Sequence, residues 1–202
     1  MSRFFIALAI LLFISISVVS MHTVISPSME DTLMAGDTFI VLNFWYGLRL
    51  PIVDRVIVKG FKPATDDILI FTYPIDPTQE HVKRCVAVSG QTVEIKKKKL
   101  FVNGVEIPIP AEGKHADPTI IPQSPYGVGK RDFGPAMVIP DSSLYVLGDN
   151  RDFSIDSRIW GFLPEKNLRG KVWFILFSIN PDVPWSDMKR KVRWNRFFNH
   201  VE

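Results

Sequence analysis

Two regimes of hydrophobicity divide the chain. Residues 4–25 read FFIALAILLFISISVVSMHTVI, a stretch of 22 without Asp, Glu, Lys or Arg, in which 17 side chains are apolar. A helix rising ~1.5 Å per residue would reach ~33 Å over this stretch, against ~30 Å for the hydrocarbon core of a bilayer. The pattern predicts a transmembrane anchor over 4–25. Arg3 precedes it and the next Lys or Arg is Arg49, a bias that keeps residues 1–3 in the cytoplasm and sends everything after residue 25 outside. A cleaved secretory leader competes for the same stretch, since Val18-Val19-Ser20 offers small or branched side chains to a processing enzyme. The run is long for a leader core of ~7–15 residues, and both readings export the rest of the chain.

Beyond residue 25 the apolar stretches are short and are bounded by Pro, Gly and Asp. Those at 38–42, 68–73, 82–88, 92–95, 100–102, 136–139, 144–147 and 172–179 are rich in Val, Ile and Phe, as strands are. The run Lys96–Lys99 predicts a solvated hairpin tip, and Asn103-Gly104, a strong turn signal, continues that meander. Residues 108–135 carry six prolines and read as an irregular excursion. The expected fold class is mainly β: one N-terminal transmembrane helix, then an antiparallel β-rich domain over 26–202, with 90–141 as meander and excursion.

Composition narrows the function. With 47% hydrophobic and 22% charged residues among 202, the chain is neither disordered nor collagen-like. One Cys excludes an internal disulfide, and with four scattered His it shows no zinc spacing. Neither a metal nor another cofactor is expected. A net charge of +3 does not demand nucleic acid, and an exported domain would not meet it. Phe44-Trp45-Tyr46 with Leu48, and Trp185, suit a membrane interface; Trp173-Phe174 read as core strand. The basic run 189–196 suits either anionic lipid headgroups or a solvated tail.

Three polar clusters stand out. Ser26-Pro27-Ser28-Met29, followed by Thr32-Leu33, reads in isolation as a linker. Lys83 in Val82-Lys83-Arg84 opens an apolar strand and reads in isolation as a solvent-facing side chain. Gly148-Asp149-Asn150-Arg151-Asp152-Phe153-Ser154-Ile155-Asp156-Ser157-Arg158 reads in isolation as a loop of ion pairs and Asx turns.

Their order and spacing resemble bacterial type I signal peptidases, membrane-anchored Ser–Lys proteases that remove signal peptides from exported proteins. The resemblance extends through Gly36-Asp37, Tyr46-Gly47-Leu48-Arg49-Leu50-Pro51, Asp67-Ile68, Phe71, Tyr73-Pro74, Val102-Asn103-Gly104 and Trp160-Gly161. Asp31 stands where Pro is usual, and Ala87, Ser89 and Gln91 where Gly, Pro and Asp are common. The resemblance implies Ser28 as nucleophile and Lys83 as general base. It gives Ser154 the task of orienting that lysine, and the Ser26 hydroxyl with the Ser28 N–H that of stabilising an oxyanion. Asp149, Arg151, Asp156 and Arg158 would support the loop, and Val24, Met29, Leu33 and Val82 would line shallow substrate pockets. It also implies presecretory proteins with small residues before the cut as substrates, the lipid bilayer as a second partner, and a single-pass enzyme of the bacterial cytoplasmic (inner) membrane with its catalytic domain on the outer face.

Chemistry supports the lysine, because an amine is a base once burial lowers its pKa from the usual ~10.4. A His-based site is the competitor. His22 falls in the anchor, His115 in the excursion and His200 near the C-terminus, but His81 shares a strand face with Lys83; eukaryotic and archaeal relatives carry His where this chain has Lys83. Two other functions stay open: a narrow processing peptidase of the conjugative pilin type, and an anchored β domain that binds peptides without cutting.

Overall fold

The computed structural model describes residues 18–50, 55–122 and 129–201. Their strands are β1 (Val19–Thr23), β2 (Asp37–Leu42), β3 (Gly47–Leu50), β4 (Arg55–Lys59), β5 (Ile68–Thr72), β6 (Glu80–Val88), β7 (Thr92–Lys96), β8 (Lys99–Val102), β9 (Val105–Ile107), β10 (Gly134–Val138), β11 (Ser143–Leu147), β12 (Leu163–Pro164) and β13 (Leu168–Ser178). A seven-stranded sheet has the order β1-β2-β13-β5-β6-β11-β12, a four-stranded sheet β10-β7-β8-β9, and β3 pairs with β4 alone. The pairings are antiparallel. Beyond β1, helix among the described residues is confined to α1 (Ser157–Trp160), α2 (Met188–Lys191) and short 3-10 turns.

Burial explains why the central strands were legible. All five residues of β5 are buried, so Ile68, Leu69, Ile70 and Phe71 read as a continuous apolar run between β13 and β6. Met29, Leu33, Phe39, Val41, Ile68 and Ile70 form a core with Val172, Ile175 and Val201. A second core, including Val86, Val93, Ile95, Tyr145 and Leu147, joins the two larger sheets.

Three expectations need correction. The span 4–25 ends too late: Val19–Thr23 is a strand, in register from Val19 opposite Leu42 to Thr23 opposite Thr38. Its uncharged sequence continues the apolar run without a break, so hydropathy shows no boundary there. Residues 4–17 of the anchor lie outside the described residues, and no helix among the described residues is long and apolar enough to cross a membrane. The Lys96–Lys99 tip does turn, with Lys97 and Lys98 at φ 49° and 71°, but Lys98 is not solvated. Its side chain is 8% exposed and its Nζ donates to Asp152 Oδ1 at 2.9 Å. Trp173 lies in β13 as expected, yet it is 42% exposed and not core.

The basic C-terminal run is largely a clamp. Arg196 donates through Nη2 to Asp37 Oδ2 at 2.6 Å and to the Thr32 carbonyl at 2.9 Å, and through Nη1 to the Asp31 carbonyl at 3.3 Å. Arg193 Nη1 donates to the Ala35 carbonyl at 2.9 Å. The C-terminal segment thereby fastens residues 31–37 to the end of the sheet. Asp37 is fully buried, and without Arg196 its nearest remaining cation is Arg193 at 3.8 Å. Arg196→Ala should lower the unfolding free energy by about 3 kcal/mol, as expected for a buried carboxylate left poorly paired. Urea denaturation measures it, and a loss under about 1 kcal/mol would place the pair among surface ion pairs.

Candidate active site

A short turn and a strand bring the two principal side chains together. Ser26 is extended at φ −108° and ψ 142° and caps a 3-10 turn over Pro27–Met29, accepting a hydrogen bond from the Ser28 N–H at 3.3 Å. Pro27 suits the first position of such a turn, where no N–H is needed. Met29 and Leu33 anchor the segment in the core, leaving Ser28 7% exposed. On β6, successive side chains leave opposite faces. Lys83 points to the turn, and Arg84 to the loop after β11. Lys83 Nζ lies 2.7 Å from Ser28 Oγ and donates to the Val82 carbonyl at 2.9 Å.

Burial sets the electrostatics. Lys83 is 4% exposed, and loss of hydration pushes its pKa down to about 8, with Asp156 and Asp149 pulling it part of the way back. A neutral amine facing a serine hydroxyl at this distance is a competent base.

The loop after β11 is held by two buried pairs. Arg84 grips Asp149 with a two-point fork, Nε to Oδ1 at 2.9 Å and Nη2 to Oδ2 at 2.8 Å, and Thr32 Oγ1 donates to Asp149 Oδ2 at 2.6 Å. Arg158 grips Asp156 likewise, at 2.8 and 2.7 Å, while Asp156 accepts from the Gly148 N–H at 3.1 Å and caps α1. Arg158 also donates to the Arg151 carbonyl at 2.6 Å. Arg151 is itself buried, and its Nε has no hydrogen-bond partner among the described residues.

Ser154 differs from its expected contact. Its Oγ is buried without a hydrogen-bond partner among the described residues, and it packs on Gly148, where an added Cβ would sit 2.2 Å from that Oγ and 2.5 Å from the Ser28 carbonyl. Glycine is required there by close approach. Motif reading placed Arg84, Thr32, Gly148 and Asn150 near the site without assigning them roles; a Gly-Asp pair ending a strand was the available signal. Asn150 donates from its N–H to the Ser28 carbonyl at 3.1 Å and from Nδ2 to the Pro27 carbonyl at 3.2 Å.

The dyad opens into a cleft of about 770 Å³ whose lining includes Val24, Met29, Leu33 and Val82. Tyr73, Phe153 and Ile155 extend this wall, and His22 and Glu80 face each other across it at 3.7 Å. His81 also lines the cleft, stacked on Tyr73 at 4.3 Å between centroids. Its Nδ1 has no hydrogen-bond partner among the described residues, so the carboxylate that orients a triad histidine is missing. Burial and the neighbouring Lys83 lower its pKa. Among the described residues, no group of three His, Cys, Asp or Glu is placed to hold a metal ion.

A serine hydroxyl and a buried lysine at the wall of an apolar cleft belong to a peptidase of the serine type. A family model described as signal peptidase, peptidase S26, matches residues 1–177. Signal peptidase I of Pseudomonas fluorescens is 30% identical over 200 residues, covering 87% of this chain and 70% of that protein. Its Pseudomonas aeruginosa counterpart is 31% identical over 211 residues, covering 92% and 72%. A crystal structure of a signal peptidase I from Enterococcus faecalis is 25% identical, covers 55% of this chain and 97% of that one, and gives a TM-score of 0.39. The chain belongs to the signal peptidase family, peptidase S26.

Lys83 also makes stability depend on pH. Its pKa is 10.5 in the unfolded chain and about 8 in the folded one, so between those values the unfolded state binds more protons and stability rises with pH. Lys83→Met should remove that rise and raise stability at pH 7 by about 1–2 kcal/mol. Urea unfolding at pH 7 and pH 10 measures both; a variant less stable than its parent at pH 7 contradicts the assignment.

Proposed function

We propose that this serine peptidase removes signal peptides with Ser28 as nucleophile and Lys83, in its neutral form, as general base. The 2.7 Å approach of Lys83 Nζ to Ser28 Oγ, with Lys83 held out of water, is the observation that carries the reading. Ser28 Oγ attacks the scissile carbonyl carbon while its proton passes to Lys83 Nζ, and the carbonyl oxygen becomes the oxyanion. The Ser26 Oγ accepts from the Ser28 N–H, so its own proton is free to point at that oxyanion. One such donor is typically worth ~10²–10³ in rate. The Lys83 ammonium then protonates the leaving amine, and water activated by the restored amine releases the acyl group.

The cleft suits an extended peptide with small residues before the cut. Val24, Met29, Leu33 and Val82 give the wall apolar side chains, and β1 is an edge strand of its sheet among the described residues, where a substrate strand gains backbone hydrogen bonds. Presecretory proteins present such a segment. The uncharged run ahead of β1 is the membrane attachment, crossing once with residues 1–3 inside and the catalytic domain, from β1 on, outside the cytoplasmic membrane.

Cleavage of one model preprotein tests the chemistry. Ser28→Ala and Lys83→Arg should both fold and be inactive, the second because a guanidinium does not deprotonate. The parent's kcat/KM should rise with pH through an inflection near 8, the value burial gives Lys83. Turnover by Ser28→Ala, or an acid-side inflection that disappears in His81→Ala, overturns the dyad.

A further inference from the structure

The turn that carries Ser28 is gripped on its outer side by a surface lysine from the irregular excursion. Lys114 is fixed by its backbone to the loop after β11: its N–H donates to the Asp149 carbonyl and its carbonyl accepts from the Arg151 N–H, both at 2.9 Å. From that position its Nζ reaches Glu30 Oε2 at 3.0 Å and Asp31 Oδ2 at 2.9 Å, two and three residues beyond Ser28. Glu30 Oε2 also accepts from Asn150 Nδ2 at 3.2 Å. Asp31 sits at φ 77°, a conformation closed to proline and strained for a residue with a Cβ. The two carboxylates would repel each other were the ammonium not between them. This chain therefore holds the exit of its nucleophile turn by charge.

We infer that Lys114 is a positioning residue, which ties the Ser28 turn to the loop carrying Asp149 and Asn150 and so keeps Ser28 Oγ within hydrogen-bond reach of Lys83. The inference rests on Ser28 being the nucleophile. Half-exposed ion pairs contribute little to global stability. A small displacement of a reacting atom, by contrast, slows the chemical step without weakening binding. Salt screens such a pair, so turnover itself becomes sensitive to ionic strength.

Lys114→Met, Lys114→Arg, Asp31→Asn and the double variant Lys114→Met with Asp31→Asn test this on the full-length chain cleaving one preprotein. Lys114→Met should lower kcat about tenfold with KM within about twofold, as displacement of a positioned nucleophile predicts, and its melting temperature should stay within about 3 °C of the parent, as for a surface substitution. Lys114→Arg should restore most of kcat. The double variant should lose no more than the worse single one, and added salt should slow the parent but not Lys114→Met. A Lys114→Met variant with parental kcat, or losses that multiply in the double variant, overturns the clamp. If Ser28→Ala is inactive while Lys114→Met is normal, the clamp alone fails; if Ser28→Ala is active, the nucleophile assignment fails.

Discussion

The loss of water around one ammonium group governs this structure. Lys83 is of use as a base only if its proton is weakly held, and burial achieves that at a cost to folding. The carboxylates of Asp149 and Asp156 are close enough to raise the Lys83 pKa again, but each is already occupied by its own arginine fork. That arrangement allows two buried acids beside a lysine whose pKa still falls. Were either arginine absent, the free carboxylate would hold the proton on Lys83 and spoil the base.

Most of the fold around the dyad positions the turn at Ser28. Met29 and Leu33 sink into the core below it, Asn150 holds the Pro27 and Ser28 carbonyls, and Gly148 leaves just enough room for Ser154. From farther away, Arg196 and Arg193 fasten residues 31–37 to the sheet. The family match ends at residue 177, yet the segment beyond it contributes Val201 to the core under the nucleophile. Chain far from the reacting atoms in sequence is close to them mechanically.

How much of this was legible in the sequence depends on the range of the physics involved. Strands β5 and β11, and β6 from Lys83 to Ala87, were visible because their residues are buried on both faces, which writes a run of apolar side chains between turn residues; β13 was visible from its run of Val, Ile and Phe although Trp173 is exposed. Strand β1 was invisible because VSMHT prolongs an apolar run with no charge or proline to mark the change from one environment to the next. Residues of β3, β9 and β12 are few and lack that continuous signature, whereas Val56-Ile57-Val58 in β4 carries it and was not read as a strand. At the site, Ser28 and Lys83 are 55 residues apart, and no periodicity links them; only resemblance to a family paired them. The role of Arg84 depends on Asp149 lying opposite it in three dimensions, and Lys98 reads as solvated because local sequence does not show the carboxylate it meets.

The most direct test of the account is the titration of Lys83 itself. Protein labelled with carbon-13 at the lysine ε-carbons, with Lys83 assigned by its absence in Lys83→Met, reports the amine's protonation by NMR as pH rises. Burial without a free counter-charge predicts a midpoint near 8. A midpoint close to the 10.5 of an exposed lysine would mean that the amine stays charged at working pH, and Lys83 would then not be the base that activates Ser28.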